Sequence, residues 1–414
     1  MFTRNVFSKL EKSLDRARVV LLNGARQVGK TTMAQEFVKK NDFSYMTFDD
    51  ELVYLAAKKN PAGFISQIKK PVVLDEVQRV PEIFLEIKKD VDKNSGAGRY
   101  LLTGSANPLL IPRLGDSLAG RMEIIDLFPL SQGEINNNKE RFIDAVFNRW
   151  KLKTSIKVIS KNDLYKRILK GGYPYVQAFD EEGCEAWMRS YLSLLLQKDI
   201  KDLAQIEKLT ELPNLLKILA LRASNILNVA EVARDSKICA KTLHRYIALL
   251  ETIFIINLAS PWSTNISSRF IKSPKLYLID SGLLSYLLDT NLNKALENST
   301  HMGRIFENFV VGELKKQKTW NKTIVNMYHF RVSSGQEVDI VLEDRSGNIV
   351  GIEVKSSERV IDQDFNGLKF LKERVKDKFI VGIVLYTGQL CSPVDKDLYV
   401  LSINSLWDDV WNPV

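Results

Sequence analysis

Residues 17–32 read ARVVLLNGARQVGKTT, and this stretch decides the fold of the N-terminal part of the chain. Within it, residues 24–31 match the phosphate-binding loop pattern G-x-x-x-x-G-K-[ST] at every fixed position. The run 18–22 before the loop is typical of a buried parallel strand. After the loop, Met33, Ala34, Phe37 and Val38 share one face of a helix. A strand, a glycine loop and a helix start in this order predict a site for the phosphates of a nucleotide.

The loop residues have distinct predicted roles at this site. Glycines let backbone amides approach the phosphates, and the positive end of the helix favours their negative charge. Lys30 would neutralise the β and γ phosphates, and the Thr31 hydroxyl would bind Mg²⁺. The predicted nucleotide-binding residues are Gly24, Ala25, Arg26, Gln27, Val28, Gly29, Lys30, Thr31 and Thr32.

The composition is that of a water-soluble globular protein with two or three domains. The 414 residues are 45% hydrophobic and 26% charged, and no apolar run approaches the ~20 residues of a membrane span. We therefore expect a cytoplasmic protein without a membrane partner. The net charge of +9 is compatible with nucleic acid or an acidic membrane surface as a partner. Cys184, Cys239 and Cys391 lie too far apart for a disulfide framework or a zinc site.

Strand-like and helix-like segments alternate over residues 1–135. Apolar strands are predicted at 43–48, 71–74, 100–102 and 124–127, each with polar residues at or near its carboxyl end. This alternation predicts an α/β fold with a parallel sheet. In such sheets, ligands bind at the carboxyl ends of the strands, where the polar residues lie.

Asp75-Glu76 directly follows one of these apolar strands. The first acid can hold Mg²⁺, and the second can orient and deprotonate an attacking water. We assign Asp75 to the metal and Glu76 to catalysis; the alternative is an ordinary acidic turn.

Two further residues are candidates for the γ-phosphate. Ser105, after the next strand, would sense the γ-phosphate or place the water, with Thr103 and Asn107 as alternatives. Arg121 would contact the γ-phosphate in cis or across a subunit interface, which requires an oligomer. A surface salt bridge is the alternative for Arg121.

The N-terminal part resembles the AAA-type P-loop ATPases that carry a C-terminal domain known as DUF4143. The residues that carry the resemblance are Gly24 to Thr32 and the segments 74–76, 102–105, 119–121 and 128–131. The resemblance implies ATP rather than GTP as the nucleotide, with Mg²⁺ as its metal. The sequence agrees, because no N/T-K-x-D segment of the kind that binds guanine is present.

Residues 226–260 are typical of a helix-turn-helix within a winged helix. The second predicted helix, 242–250, leaves Lys241, His244 and Arg245 outward, and such a basic face can enter the major groove of double-stranded DNA. Segments 254–258 and 275–278 would form the wing. The alternative is a winged helix that packs internally or reports the nucleotide state.

The C-terminal region resembles the PD-(D/E)xK nuclease core. Segments 337–342 and 349–355 predict a hairpin, with Asp339 on one strand and Glu353 and Lys355 on one face of the other. Asp339 and Glu353 would bind Mg²⁺, Lys355 would position or deprotonate water, and Glu307 would complete the site from a preceding helix. Val338 stands where the family pattern has proline. The alternatives are a domain that has lost cleavage, or exposed cross-strand ion pairs.

These observations predict an ATPase domain at 1–135, a helical connector at 136–225, a winged-helix-like domain at 226–295 and a nuclease-like DUF4143 domain at 296–414. The predicted function is Mg²⁺-dependent ATP hydrolysis coupled to a DNA-interacting C-terminal domain that would cleave DNA. One alternative is an ATP-gated switch that holds DNA or a protein partner without cleavage. A non-hydrolysing nucleotide-binding scaffold is another, which Asp75-Glu76 argues against.

Overall fold

A computed structural model describes residues 2–104, 118–152, 159–203, 211–408 and 411–412. The chain divides into two compact units. The first consists of Met1–Pro129 with Thr252–Phe254, and the second of Leu130–Glu251 with Ile255–Val414. The finer division of the second unit at residues 225 and 295 stays a prediction.

The first unit alternates helices and strands over its described residues. Its elements are α1 (Phe7–Leu14), β1 (Val19–Asn23), α2 (Lys30–Lys40), β2 (Ser44–Thr47), α3 (Glu51–Lys59), α4 (Pro61–Gln67), β3 (Val72–Asp75), α5 (Ile83–Lys93), β4 (Tyr100–Gly104) and β5 (Met122–Asp126). The strands form one sheet in the order β2-β3-β4-β1-β5, and every neighbouring pair is parallel. The predicted α/β fold is thereby confirmed.

Burial on both faces explains why the central strands are continuous apolar runs. The side chains of β1, β3 and β4 are buried along their whole length. Met33, Ala34 and Phe37 of α2 are buried as the helical pattern predicts, and Val38 is half-buried. This packing fixes α2 on the sheet, so that the loop before it lies at the carboxyl end of β1.

The second unit begins with mostly helical segments. In chain order these are α6 (Gln132–Ile135), α7 (Phe142–Phe147), β6 (Lys151–Leu152), α8 (Lys161–Lys170), α9 (Glu181–Leu203), α10 (Leu212–Leu221), β7 (Asn225–Ile226), α11 (Val229–Ser236), α12 (Ala240–Thr252), β8 (Ile256–Ala259), α13 (Ile266–Ile271), β9 (Lys275–Leu278), α14 (Ser281–Leu287) and α15 (Leu292–Glu297). Strands β7, β9 and β8 form a small antiparallel sheet in that order. Helices α11 and α12 therefore lie between the strands of this sheet in the chain, close to the predicted bounds.

The second unit continues into a larger mixed sheet. Its elements are α16 (Ser299–Gln317), β10 (Val325–Arg331), β11 (Glu337–Asp344), β12 (Ile349–Lys355), α17 (Asn366–Val375), β13 (Phe379–Tyr386), β14 (Ser392–Asp395), β15 (Leu398–Ser402) and β16 (Trp411–Asn412). The sheet order is β10-β11-β12-β13-β15-β14. The predicted hairpin is present, since β11 and β12 pair antiparallel with Ile340 opposite Ile352. Strand β13 then adds parallel to β12 after the crossover through α17.

Helix α16 is buried around most of its circumference rather than along one stripe. Ile305, Phe309, Val310 and Leu314 are buried as predicted, and so are polar residues such as Glu313. Glu313 and other α16 side chains bind the segment that starts the second unit. Glu313 Oε2 accepts from the Gln132 amide at 2.9 Å, and Lys316 Nζ donates to Glu313 Oε1 at 2.7 Å and Leu130 O at 3.0 Å. These bonds satisfy buried charges. Residues 130–135, which the sequence prediction included in the ATPase domain, lie in the second unit.

Among the described residues, no helix is long and apolar enough to cross a membrane.

His329 of β10 predicts that the stability of the second unit depends on pH. Its Nε2 is buried and has no hydrogen-bond partner among the described residues, and burial, aided by Lys275, lowers the pKa of His329 to about 4. Because the folded pKa lies below the ordinary 6.5, the contribution of His329 to stability is present above pH 6.5 and is lost as the pH falls toward 4. We expect this loss to reach about 3 kcal/mol in the free energy of unfolding.

The measurement is urea unfolding at pH 7, 5.5 and 4 for the wild type and His329→Gln. As the pH falls, the wild type should lose more free energy of unfolding than His329→Gln does. His244→Gln, at an exposed histidine, is the control. A constant difference between the wild type and His329→Gln would contradict the prediction.

Candidate functional site

The loop between β1 and α2 has the backbone that its glycines predict. Gly24 lies so close to the Leu127 carbonyl that an added Cβ would stand 2.1 Å from that oxygen. Gly29, at the N-cap of α2, has a φ of 94°, which side-chain-bearing residues rarely adopt. Gln27 also has a positive φ, of 63°. The chain thus turns tightly into the N-terminus of α2, where free amides favour anions.

Lys30 is buried within the loop that it is predicted to serve. The residue is 5% exposed, and Nζ donates to the carbonyls of Gly24 at 2.9 Å and Ala25 at 2.7 Å. These bonds hold the ammonium against the loop backbone, so its charge lies beside the amides that would bind phosphate.

Arg4 fastens the same loop from the N-terminal segment. Arg4 is 8% exposed, and its guanidinium donates to Val28 O at 2.7 Å and to Phe128 O at 2.6 Å. Arg4 is missing from the predicted site residues, and no motif in the sequence marks it. Only the fold brings it to the loop and to the segment after β5.

Asp75 ends β3 and accepts hydrogen bonds from three hydroxyl groups. Thr31 Oγ1 lies 3.1 Å from Oδ2, Tyr45 OH lies 2.9 Å from Oδ2, and Thr103 Oγ1 donates to Oδ1. Asp75 as a whole is 2% exposed. Thr31 and Asp75, the two predicted magnesium ligands, therefore meet, and both offer the oxygen atoms that Mg²⁺ prefers.

Tyr45 is a contact that the sequence prediction missed. It lies on β2, the parallel neighbour of β3, with Tyr45 paired to Val73. Burial and the Asp75 carboxylate raise the pKa of Tyr45, so its phenol remains protonated and donates to Asp75. A hydroxyl on the strand beside the acid strand is the signal that could have identified it.

Glu76 adopts a left-handed backbone conformation immediately after β3. Its φ and ψ are 59° and 44°, which costs a non-glycine residue about 1–2 kcal/mol. The Glu76 amide donates to Thr103 Oγ1 at 3.1 Å, and its carboxylate accepts from Gln78 Nε2. The Thr103 hydroxyl thus joins both acids. Such a strained residue, held by its neighbours, is typical of functional sites.

The two γ-phosphate candidates have different outcomes. Ser105 and its alternative Asn107 lie outside the described residues. Arg121 precedes β5, whose first residue Met122 pairs with Val19 at the start of β1, while the phosphate loop follows the other end of β1. Arg121 forms an ion pair with Asp92.

The prediction that Arg121 contacts the γ-phosphate in cis is therefore wrong, because the length of the sheet separates Arg121 from the phosphate loop. The surface salt bridge is what the structure contains. Action in trans stays a prediction.

A second cluster of charged side chains lies in the C-terminal sheet. It brings together the four residues predicted for a nuclease site, which are Glu307 of α16, Asp339 of β11, and Glu353 and Lys355 of β12. Lys355 Nζ donates to Glu353 Oε1 at 3.0 Å, and Asp339 Oδ2 accepts from the Val354 amide at 3.0 Å. Burial, together with the neighbouring Asp339 carboxylate, raises the pKa values of Glu307 and Glu353 to about 8.

Lys275 of β9 is a fifth member, and the sequence prediction missed it. Its Nζ lies 2.6 Å from Glu307 Oε1 and 3.2 Å from Asp339 Oδ1. Burial opposes the charged form, but the two carboxylates outweigh it and keep the pKa of Lys275 above its ordinary value. Within the described ranges, no group of three or more His, Cys, Asp or Glu side chains is arranged to hold a metal ion.

The outward face of α12 agrees with the helix-turn-helix pattern. Lys241, His244 and Arg245 are exposed, whereas Leu243 and Leu250 are buried. Contact of this face with DNA stays a prediction.

Comparison with known proteins places these sites in context. Residues 16–136 match the AAA domain, 161–294 match a domain of unknown function (DUF8612), and 302–406 match the domain of unknown function DUF4143. The uncharacterized protein Rv2008c of Mycobacterium tuberculosis is 30% identical over 354 residues, which are 85% of this chain and 73% of that protein. The uncharacterized protein MJ1544 of Methanocaldococcus jannaschii is 22% identical, over 94% of this chain and 87% of its own length.

Among solved structures, the Walker-type ATPase PABY2304 of Pyrococcus abyssi is similar, with a TM-score of 0.43 and 16% identity. The match covers 70% of this chain and 96% of that one. The identity and coverage shared with the mycobacterial relative, and the order of the matched domains, lead to one assignment. The chain belongs to the family of P-loop ATPases that join an AAA domain to a C-terminal DUF4143 domain.

Proposed function

We propose that the chain hydrolyses ATP to ADP and phosphate with Mg²⁺, and that Glu76 activates the attacking water. The observation that carries the proposal is the run of hydrogen bonds from Thr31 through Asp75 and Thr103 to Glu76. This run connects the helix that begins at the phosphate loop with both acids after β3. An ordinary acidic turn would not need such a connection.

Each residue has one task in this proposal. Lys30 binds the β and γ phosphates, and Thr31 and Asp75 hold Mg²⁺, which supplies positive charge to the phosphate oxygens when bound. Glu76 accepts a proton as the water oxygen attacks the γ-phosphorus, and the bond from that phosphorus to the leaving ADP oxygen breaks. Rate enhancement then comes from positioning and charge stabilisation.

The test is phosphate release by the purified chain, with ATP or GTP and with or without Mg²⁺. Release from ATP that requires Mg²⁺ and disappears in Glu76→Gln supports the proposal. Nucleotide binding without release under any of these conditions would leave the non-hydrolysing scaffold.

We further propose that the second unit interacts with DNA and that its charged cluster is nuclease-like. Two features support this. The exposed cations of α12 suit a phosphate backbone, and the order α16-β10-β11-β12-α17-β13 brings Glu307, Asp339, Glu353 and Lys355 together. The middle region would relay the nucleotide state to this cluster. The alternative is a switch that binds without cleavage. The Lys275 ammonium between Glu307 and Asp339 favours this alternative.

Asp339→Ala separates the two possibilities. Supercoiled plasmid is incubated with the chain and Mg²⁺ or Mn²⁺, with and without ATP, and nicking is followed on gels. We expect nicking by the wild type and a loss of about 10²-fold or more in the variant, because Asp339 is a predicted metal ligand.

Asp377→Ala, at an exposed aspartate of the same region, is the control and should cut like the wild type. Wild-type chain that retains plasmid in a binding assay but never nicks it would favour the switch.

A further inference from the structure

The acid cluster of the second unit already contains a cation, which is supplied by the chain itself. Lys275 Nζ lies between Glu307 and Asp339, and the Lys275 side chain is 12% exposed. Tyr277, two residues along β9, donates its hydroxyl to the same Glu307 oxygen at 2.7 Å. Strand β9 thus contributes two groups that bind Glu307, and it belongs to the small sheet of β7, β8 and β9 rather than to the C-terminal sheet.

The cluster contains more carboxyl groups than ammonium groups. Glu307, Asp339 and Glu353 supply three carboxyl groups, and Lys275 and Lys355 are the two ammonium groups that contact them. Glu353 Oε1 accepts from Lys355, but Glu353 Oε2 is buried with no hydrogen-bond partner within the described part of the chain, and only 8% of the residue is exposed. A buried carboxylate oxygen without a donor is costly, and it marks a place where a further cation would bind favourably.

We propose that Lys275 is an exchangeable internal cation, and that the cluster binds one divalent cation when the Lys275 ammonium is withdrawn. A divalent ion binds carboxylate oxygens at about 2.0–2.6 Å, so it cannot share Glu307 Oε1 and Asp339 Oδ1 with an ammonium at hydrogen-bond distance. This inference builds on the acid cluster of the proposed function, but it does not depend on cleavage.

The position of Lys275 in the fold gives the exchange a physical route. Lys275 is the first residue of β9, which pairs with β8 over Ile256–Ala259 and with β7 over Asn225–Ile226. Helices α11 and α12 connect β7 to β8 in the chain. A displacement of this small sheet would therefore withdraw the ammonium from Glu307 and Asp339 and open the cluster.

A permanent ion pair is the competing explanation for Lys275. Removing its charge would then leave two buried carboxylates without compensation and would only destabilise the protein. If Lys275 is instead an exchangeable cation, its removal should raise the affinity of the cluster for a divalent metal ion, because Glu307 and Asp339 become free to bind it. Metal binding, measured without DNA, therefore discriminates the two explanations.

The experiment measures Mn²⁺ binding to the full chain without nucleotide by electron paramagnetic resonance of free Mn²⁺. The variants are Lys275→Gln, Lys275→Arg, which keeps the charge, and Lys275→Gln combined with Asp339→Asn. We expect Lys275→Gln to bind one Mn²⁺ with affinity at least about tenfold above the wild type. Lys275→Arg should behave like the wild type, and the double variant should lose the gain. Equal affinity in the wild type and a folded Lys275→Gln overturns the proposal.

A measurement on the wild type covers the case in which Lys275→Gln does not fold. Amine-reactive labelling of Lys275 is followed by mass spectrometry with and without saturating Mn²⁺, with exposed Lys294 as the internal reference. Labelling of Lys275 should accelerate about tenfold or more with Mn²⁺, while that of Lys294 stays constant. Unchanged labelling of Lys275 overturns the proposal. If Lys275→Gln binds Mn²⁺ but no protein cuts plasmid, the exchange holds and the nucleolytic function fails.

Discussion

Glu76→Gln is expected to lower the rate of ATP hydrolysis by about 10²–10⁴-fold while ATP binding is preserved, which is the range for loss of a positioned general base. Glutamine has the shape of glutamate but cannot accept the proton of the attacking water. The Glu76 amide would still donate to Thr103, so the left-handed turn that follows β3 should persist. Mg²⁺ and the phosphates are held by other residues in the proposal, and their binding should not change.

Single-turnover phosphate release and equilibrium binding of a fluorescent ATP analogue together check this expectation. Glu82→Gln is the matched control, because it makes the same chemical change at an exposed glutamate nearby and should leave both quantities unchanged. Turnover in Glu76→Gln within a factor of about three of the wild type would remove Glu76 from the catalytic role.

Lys30→Ala is expected to weaken ATP binding by about 10²-fold or more and to abolish measurable hydrolysis. Charge-assisted hydrogen bonds contribute about 1.5–3 kcal/mol each, and Lys30 is predicted to contact two phosphates. The ammonium is already held inside the loop by Gly24 O and Ala25 O, so little side-chain freedom is lost when phosphates bind. Alanine removes the charge and leaves the glycine-dependent backbone of the loop intact.

Isothermal titration with ATP and Mg²⁺ measures this effect, and thermal unfolding without nucleotide verifies that the variant is folded. Lys39→Ala, at an exposed lysine in the last turn of the same helix, is the control and should retain full affinity. ATP affinity of Lys30→Ala equal to that of the wild type would contradict the assignment of the phosphate loop. The two variants also separate binding from chemistry, since only Lys30→Ala should lose both.

The sequence predicted those parts of the protein in which neighbouring residues determine the geometry. The loop at 24–29 needs glycine where a Cβ would meet a carbonyl, so its pattern identifies the turn and the helix that begins at Lys30. The hairpin of β11 and β12 follows from alternating apolar residues on either side of a short polar turn. In both cases, the interactions that set the structure lie within a few residues of each other.

The contacts that only the tertiary structure decided join residues far apart in the chain. Tyr45 and Thr103 meet Asp75 because β2 and β4 are the neighbours of β3, and strand order is not written in any one segment. Arg121 lies away from the phosphate loop because parallel pairing of β5 with β1 puts it at the opposite end of the sheet.

Lys275 reaches Glu307 and Asp339 because β9 packs beside α16. The sequence of β9 alone indicates only a strand that begins with a lysine. Local propensity and periodicity therefore determined the loop, the acid pair and the hairpin. Packing between distant elements determined which side chains contact the acidic residues. The arrangement of these elements depends on burying the apolar faces of all of them together.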